Sequence, residues 1–326
     1  MLSAQFLRHS LLLFVCLNIS FAYGQAKKLS TITTPPNFKV AFIGDQGLGL
    51  KSQQVLQLIK QEGAQAVIHL GDFDYYNQPQ AWDEQINQIL GKNFPYFAVI
   101  GNHDLDKWPE YQQLLKQRMA RIGLSWQGEL GEQATITYNG LLMVMIGIGT
   151  KGDADVHNQY LAQQLQQSNA IWRVAAWHKN QQAMQAGGKI DETGWQVYET
   201  ARLQGAIIAT GHEHSYSRSY LLNNMQQQTI ENKENTLKLS KGKSFVFVSG
   251  LGGIDERIQR QSGQHWAKIY AKTCLALDPV CVPNSTSGAL FATFNVDKQA
   301  NKAKFYFKNI NQQIIDEFTV ISEVKP

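Results

Sequence analysis

Runs of consecutive apolar residues recur along the first third of the chain, separated by stretches with helical periodicity. Three mainly apolar runs, each followed by glycine, predict buried strands. They are residues 39–43, 66–70 and 97–100. Between them, residues 53–61 and 82–90 carry apolar side chains at helical spacing. Strand alternating with helix predicts a mainly parallel sheet with helices on its faces.

The rest of the chain continues this pattern with more strand content. We find no internal repeat, and the pattern predicts one domain over residues 38–326 after a polar linker at residues 25–37. The last three predicted strands are close enough in sequence to form a meander. The further predicted strands are residues 141–148, 172–177, 206–210, 244–249, 289–296, 304–307 and 314–321.

Composition agrees with a folded globular protein. Of 326 residues, 43% are hydrophobic and 17% charged, whereas disordered chains have a lower apolar content. The formal net charge is +4, or 4 − 1 = +3 without Arg8, the only charged side chain before residue 25. So weak a positive bias implies no nucleic-acid partner and no anionic membrane surface.

The first 24 residues have the order of a secretory signal peptide. Arg8 and His9 precede an apolar run at residues 11–17, and Ala22 and Gly24 place small residues where a signal peptidase cleaves. We therefore expect an exported protein, periplasmic or secreted, with an uncleaved membrane anchor as the alternative. No later apolar run approaches the roughly 18 residues of a membrane span, so we expect none in the mature chain.

Two cysteines remain after this leader. Cys274 and Cys281 are close in sequence, and in an exported protein such a pair can form one disulfide. Two unpaired thiols are the alternative.

The residues that follow the predicted strands share one chemistry. After each strand comes a side chain with an oxygen or nitrogen donor, in most cases directly after a glycine. Together these donors are two Asp, one Tyr, one Asn and three His, a mixed set that suits Fe, Mn or Zn rather than calcium. Seven donors are too many for one ion that also holds substrate, and they suit two ions about 3.5–4 Å apart that share a carboxylate. The segments are Gly44-Asp45, Gly71-Asp72 with Tyr75, Gly101-Asn102-His103-Asp104, His178 and Gly211-His212-Glu213-His214.

This series of segments resembles the calcineurin-like metallophosphoesterase superfamily, and within it the small, single-domain purple acid phosphatases. Those enzymes carry D-x-G, G-D-x-x-Y, G-N-H-D/E, a lone His after a strand, and G-H-x-H, all of which occur here between Asp45 and His214. Tyr75 is the feature that distinguishes the purple acid phosphatases. The resemblance implies a four-layer α/β/β/α sandwich, with two sheets face to face and the helices outside.

The resemblance also implies a role for each donor. Asp45, Tyr75 and His214 would hold the first metal, and Asn102, His178 and His212 the second. Asp72 would bridge the two ions. The first metal would be Fe(III), and the second a divalent Fe, Zn or Mn.

The mechanism follows from the same resemblance. A hydroxide bound to the metals would attack a small phosphate monoester. His103 would be the catalytic residue that stabilises charge or protonates the leaving group. Asp104 either orients that imidazole or only ends the turn.

Two cations beside the predicted ligands are weaker candidates. Lys179 and Arg218 either contact the substrate phosphate or form salt bridges. Residues 179–181 lack the proline that commonly follows the lone histidine in purple acid phosphatases. We therefore expect a different substrate loop in this chain.

The sequence leaves three other functions as alternatives. A phosphodiesterase or nucleotidase of the same superfamily is the nearest alternative. A catalytically inactive metal-binding module is another, although none of the seven donors is missing. Residues 44–52 resemble a phosphate-binding P-loop, but Leu50 breaks the required Gly-Lys-Ser order.

Overall fold

The computed structural model describes residues 33–273 and 284–325. The predicted signal peptide, most of the predicted linker and both remaining cysteines, Cys274 and Cys281, lie outside these residues. Cleavage, export and the disulfide therefore remain predictions.

Within the described residues the chain forms seventeen strands and five α-helices. The strands, numbered in chain order, are Phe38–Ile43 (β1), Ala66–His69 (β2), Tyr96–Ala98 (β3), Gln127–Glu129 (β4), Gln133–Tyr138 (β5), Leu141–Ile146 (β6), Trp172–Trp177 (β7), Ile207–Thr210 (β8), Tyr216–Ser219 (β9), Leu221–Asn224 (β10), Thr229–Asn232 (β11), Thr236–Leu239 (β12), Val246–Ser249 (β13), Trp266–Tyr270 (β14), Gly288–Phe294 (β15), Lys302–Asn309 (β16) and Ile314–Ser322 (β17). The helices are Leu50–Gln61 (α1), Pro79–Ile89 (α2), Trp108–Arg121 (α3), Ala154–Gln166 (α4) and Gln196–Leu203 (α5).

Two large sheets contain most of these strands. The first has the order β12-β17-β16-β15-β1-β2-β3, and its β1, β2 and β3 run parallel. The second has the order β14-β9-β13-β8-β7-β6-β5-β4, with β6, β7, β8 and β13 parallel. In the first sheet the antiparallel strands β15, β16 and β17 extend the parallel part, and β12 pairs parallel with β17 at the edge. In the second sheet antiparallel strands extend the parallel part on both sides. β10 and β11 form a separate hairpin.

The sheets face each other, and the helices cover their outer sides. Helices α1 to α3 pack against one another and on the first sheet, while α4 and α5 pack together on the second. Aromatic rings bridge the two sheets: Phe42 lies 5.2 Å from Phe247, and Tyr216 stacks on Phe307 at 4.3 Å between ring centroids. This arrangement is the predicted four-layer α/β/β/α sandwich, and the prediction is confirmed. No described helix is long and apolar enough to cross a membrane.

A buried ion pair also joins the sheets. Both oxygens of Asp316 on β17 accept hydrogen bonds from the Arg218 guanidinium on β9, at 2.7 and 3.0 Å. The Tyr216 hydroxyl donates to the same carboxylate at 2.7 Å. Removing one partner of such a pair leaves an uncompensated buried charge, which is strongly destabilising. Arg218 is thus a structural residue, and of its two predicted alternatives the salt bridge is the one that forms.

The apolar pattern predicts the parallel strands well and the antiparallel additions less well. The meander at residues 289–321 is confirmed as β15, β16 and β17, which pair antiparallel in that order. The strand predicted at residues 97–100 is shorter and earlier, at Tyr96–Ala98. The pattern does not predict β4, β5, β9 to β12 or β14, and each of β9 to β12 has only four residues, of mixed polarity. Helices α3 to α5 were not predicted.

Candidate metal centre

The eight predicted site residues all lie just beyond the carboxyl ends of parallel strands, in both sheets. In sheets of this kind ligands bind at that end, where the loops of neighbouring strands converge. Asp45 follows β1, Asp72 and Tyr75 follow β2, Asn102 and His103 begin a 3₁₀ helix at Asn102–Lys107 after β3, His178 follows β7, and His212 and His214 follow β8.

Three of the predicted ligands form a first group around the Tyr75 hydroxyl. Its oxygen lies 2.9 Å from Asp45 Oδ1 and 3.0 Å from His214 Nε2. The same nitrogen of His214 lies 3.4 Å from Asp45 Oδ1. These are the three residues that the resemblance assigns to one ion.

The other four form a second group around His178 Nε2. This nitrogen lies 3.2 Å from Asp72 Oδ2, 3.3 Å from Asn102 Oδ1 and 3.1 Å from His212 Nδ1. Donor atoms of Asp72, His178 and His212 all fall within 4.8 Å of one another, as a metal site requires. The structure therefore brings all seven predicted ligands together in two adjoining groups.

Each of the three histidines is held by its other ring nitrogen. His178 Nδ1 donates to the Leu70 carbonyl at 2.6 Å, and His214 Nδ1 donates to the Asp255 carbonyl at 2.9 Å. His212 Nε2 donates to the Glu192 carboxylate at 2.7 Å. These partners assign the proton to the outer nitrogen, so the inner lone pair points at the other ligands.

The donor set of the second group fits a cation. Four lone-pair atoms face one another, and neutral histidines with these tautomers place no hydrogen between them. Burial lowers the pKa of His178, but the charge and hydrogen bond of Asp72 outweigh it and raise that pKa to about 9. In the metal-free protein at neutral pH, a proton on His178 thus takes the place of a cation.

Tyr75 keeps its proton when no metal is present. Burial raises the pKa of its phenol well above the ordinary value, and the negative charges of Asp45 and Asp72 add to the effect. One phenol hydrogen then serves two acceptors, Asp45 and His214. The charge of Asp72 acts on Tyr75 and on His178, which suits a residue shared between the two groups.

The glycines before the ligands act mainly through their small size. A Cβ on Gly101 would lie 2.1 Å from the Asp72 amide nitrogen, and one on Gly211 would lie 2.7 Å from the Leu70 carbonyl. The tight turns occur instead at four of the ligands themselves, which have positive φ. They are Asp45, Asp72, Tyr75 and His212, with φ of 58°, 60°, 65° and 68°. Of the glycines directly before the ligands, Gly71 alone has a positive φ, of +88°.

Asp104 organises the backbone and not the His103 imidazole. Its carboxylate accepts from the amides of Gly101 at 2.7 Å, Asp72 at 3.0 Å and Phe73 at 2.8 Å. Burial, together with the charge of Asp72, raises the pKa of Asp104 to about 8, whereas the hydrogen bonds from the Phe73 and Gly101 amides act to lower that pKa. Asp104 thereby fixes the loop after β3 against the loop after β2. Of the two predicted roles, orienting His103 is the wrong one.

His103 lies at the exposed edge of the cluster. Its ring packs against Tyr75 with 4.5 Å between centroids, and its backbone amide donates to Asp72 Oδ1 at 2.9 Å. The side chain is exposed to solvent. A molecule approaching the two ligand groups from that edge would meet this imidazole, which is the position a proton donor needs.

Glu192 contacts the cluster of predicted ligands, which the sequence did not indicate. It receives the hydrogen bond of His212 and forms a salt bridge of 2.5 Å with Lys179. Lys179 thus forms the salt bridge that was one of its two predicted alternatives. Because Glu192 lies in a loop with no motif around it, only its contacts identify it.

The glycine-rich segment after β13 supports the site from a third side. The Gly252 amide donates to the Gly44 carbonyl at 2.9 Å, and the Ile254 amide donates to the Asp45 carbonyl at 3.1 Å.

Lys51, the lysine of the P-loop alternative, pairs with Glu256 at 2.9 Å. That alternative is therefore wrong.

Replacing Glu192→Gln should weaken metal binding about tenfold or more, because outer partners of metal-ligating histidines typically change metal affinity 10- to 100-fold. Titration calorimetry of the metal-free protein with Zn²⁺ measures the effect. Glu84→Gln, an exposed glutamate on α2, is the matched control and should bind as the unsubstituted protein does. Equal affinities for all three proteins would remove Glu192 from the support of His212.

Comparison with known proteins agrees with this geometry. A family model described as calcineurin-like phosphoesterase matches residues 38–216, which include all eight predicted site residues. No curated protein sequence matches the chain.

Solved structures share the fold. A purple acid phosphatase isolated from yellow lupin (Lupinus luteus) seeds is similar at 16% identity and a TM-score of 0.65, covering 89% of this chain and 55% of its own. The structure of PhoD is similar at 13% identity and a TM-score of 0.54, covering 89% of this chain and 70% of its own. The chain thus spans about half the length of the lupin protein. With the family match extending over more than half of its length, the chain belongs to the calcineurin-like phosphoesterases.

Proposed function

We propose that this protein is an exported phosphatase that hydrolyses phosphate monoesters at a two-metal centre. One observation carries the proposal: the Tyr75 hydroxyl lies within 3.0 Å of both Asp45 and His214, beside the second group around His178. A phenolate is a hard, charged oxygen ligand that suits Fe(III). The resemblance to purple acid phosphatases supports the same choice.

The donor groups divide naturally between two ions. Asp45, Tyr75 and His214 would hold Fe(III), and Asn102, His178 and His212 would hold a divalent Fe, Zn or Mn, with Asp72 shared. When bound, two such ions supply Lewis acidity for the phosphate oxygens and lower the pKa of a water that attacks phosphorus.

The residues of the chain provide orientation and proton transfer. The Leu70 carbonyl, the Asp255 carbonyl and Glu192 hold the three histidines with their lone pairs inward. As a metal ligand, Tyr75 would lose its phenol proton to solvent. A ring nitrogen of His103, at the exposed edge, donates a proton to the leaving ester oxygen.

Two other functions compete with this proposal. A phosphodiesterase or nucleotidase would use the same seven ligands, and the structural neighbours, all below 25% identity, do not separate it from a monoesterase. Tyr75 favours the monoesterase. A catalytically inactive module would be expected to lack ligands, and all seven are present and clustered here.

Export is the second part of the proposal. It is supported by Arg8 and His9 before the apolar run at residues 11–17, and by the small residues Ala22 and Gly24. A periplasmic or extracellular phosphatase would act on small phosphate esters outside the cytoplasm.

The substrate class is tested by comparing p-nitrophenyl phosphate with bis(p-nitrophenyl) phosphate. We expect kcat/KM at least about tenfold higher for the monoester, which corresponds to about 1.4 kcal/mol of transition-state preference. Preference for the diester would identify the phosphodiesterase alternative. No hydrolysis of either compound by protein that holds two ions would favour the inactive module.

His103→Gln should lower kcat for the monoester by about 100-fold, the lower end of what a positioned proton donor contributes. Its metal content should stay unchanged, because His103 belongs to neither ligand group. Turnover and metal analysis of the same preparation check both statements. Asp106→Asn, an exposed change in the same 3₁₀ helix, is the control. Unchanged turnover in His103→Gln would exclude the residue from proton transfer.

The identity of the first metal is tested by visible absorption. A protein loaded with iron should show a broad band from a tyrosinate–Fe(III) ligand pair, and Tyr75→Phe should abolish it. Tyr76→Phe changes the neighbouring tyrosine, which is 62% exposed, and should retain the band. A colourless, active protein with two Zn or Mn ions would contradict the iron assignment but not the phosphoesterase fold.

A further inference from the structure

A basic pocket lies beside the metal centre and takes no part in the mechanism above. Its volume is about 470 Å³. Four of its lining residues are cations and two are acids. We call it the basic pocket, and its charged residues are Lys189, Arg257, Arg260, Lys272, Glu213 and Glu256.

The basic pocket and the metal centre share one loop. Glu213 lies between the predicted ligands His212 and His214, and it lines the pocket. Lys189 Nζ donates to the His212 carbonyl at 2.7 Å, and the Arg257 amide donates to the His214 carbonyl at 2.9 Å. A molecule that occupies the pocket therefore lies against the backbone that carries two metal ligands.

The pocket has an excess of positive charge. Glu256 is already paired with Lys51 at 2.9 Å. Among residues 33–273 and 284–325, none of the four cations of the pocket has a salt-bridge partner within 4.0 Å. Glu213 is thus the one carboxylate left against four cations. Like charges gathered in a concave surface attract anions from solution.

The backbone segments that carry the cations are held by hydrogen bonds. The Arg260 amide donates to the Ala186 carbonyl at 2.9 Å, and the Lys272 amide donates to the Arg257 carbonyl at 3.1 Å. The strand-like contact between Ile258 and Lys272 joins the two segments. The segments that carry these side chains are thus paired through their backbones, so the ordering cost of binding an anion falls on the side chains alone.

We propose that the basic pocket binds a second phosphate group of a substrate whose scissile phosphate lies at the metal centre. Arginine guanidinium groups bind phosphate oxygens through paired, charge-assisted hydrogen bonds, and lysine adds point charges. The inference rests on the proposed phosphatase function and narrows its substrates to compounds that carry two phosphates.

The test uses two pairs of substrates that differ by one phosphate. Adenosine diphosphate is compared with adenosine monophosphate, and fructose 1,6-bisphosphate with fructose 1-phosphate, so that adjacent and separated phosphates are both covered. The quantity measured is the ratio of kcat/KM within each pair. In Arg257→Gln/Arg260→Gln and, separately, in Lys272→Gln, this ratio should fall about tenfold for at least one pair. A hydrogen bond to a charged group contributes about 1.5 kcal/mol or more, which is about tenfold.

Lys238→Gln/Lys304→Gln is the matched control. It removes two positive charges from exposed positions on β12 and β16, and the ratios should stay as in the unsubstituted protein. Unchanged ratios in both pocket variants would overturn the proposal. So would a fall in kcat/KM by the same factor for both members of each pair, because that is general attraction of anions.

Binding calorimetry of the metal-free protein with adenosine diphosphate and adenosine monophosphate repeats the comparison without turnover. If the unsubstituted protein hydrolyses no ester, the proposed function fails. In that case a selective loss of diphosphate affinity in the pocket variants would still support the pocket, and equal affinities would overturn it.

Discussion

The whole centre depends on how closely the carboxyl ends of the two sheets approach each other. At that end, backbone meets backbone: a Cβ on Gly211 of the second sheet would lie 2.7 Å from the Leu70 carbonyl of the first. The Asp45 carboxylate then reaches across and accepts the His212 amide at 2.8 Å. Because only glycine permits this approach, ligands from both sheets can face one another at about 3 Å, as Tyr75 faces His214 and Asp72 faces His178. The sandwich core, with Arg218 and Asp316 between the sheets, holds the two ends at this separation.

The price of this geometry is backbone strain at the ligands themselves. Positive φ costs an ordinary residue about 1 kcal/mol or more, and here it occurs at Asp45, Asp72, Tyr75 and His212. Hydrogen bonds from neighbouring segments offset the cost at two of them. Asp104 accepts the Asp72 amide at 3.0 Å, and Asp74 accepts the amides that follow Tyr75 at 2.7 and 2.9 Å. The donors are therefore already in position before any ion binds, as an efficient metal site requires.

The sequence predicted the parallel strands and the ligand set because both leave local signals. A strand buried on both faces appears in the sequence as a continuous apolar run, as at residues 39–43. The ligand that follows such a strand forms a short motif with the glycine before it. Glu192 and the basic pocket left no such signal. Their side chains lie at the site only because loops without sequence periodicity bring them there. The role of Asp104 stayed open between two alternatives for a related reason: its neighbour in sequence is His103, but its partners are backbone amides from two loops.

The left-handed conformation at the ligands has a consequence for how such a centre can evolve. After glycine, the residues that adopt positive φ most readily are Asn, Asp and His, and these are also good metal ligands. At residues 45, 72 and 212 the backbone therefore selects the same side chains that the ions select. Exchange of Asp for Asn costs little conformational energy there, whereas a β-branched residue is excluded whatever its chemistry. The backbone conformation thus limits which side chains can occur at these positions, independently of catalysis.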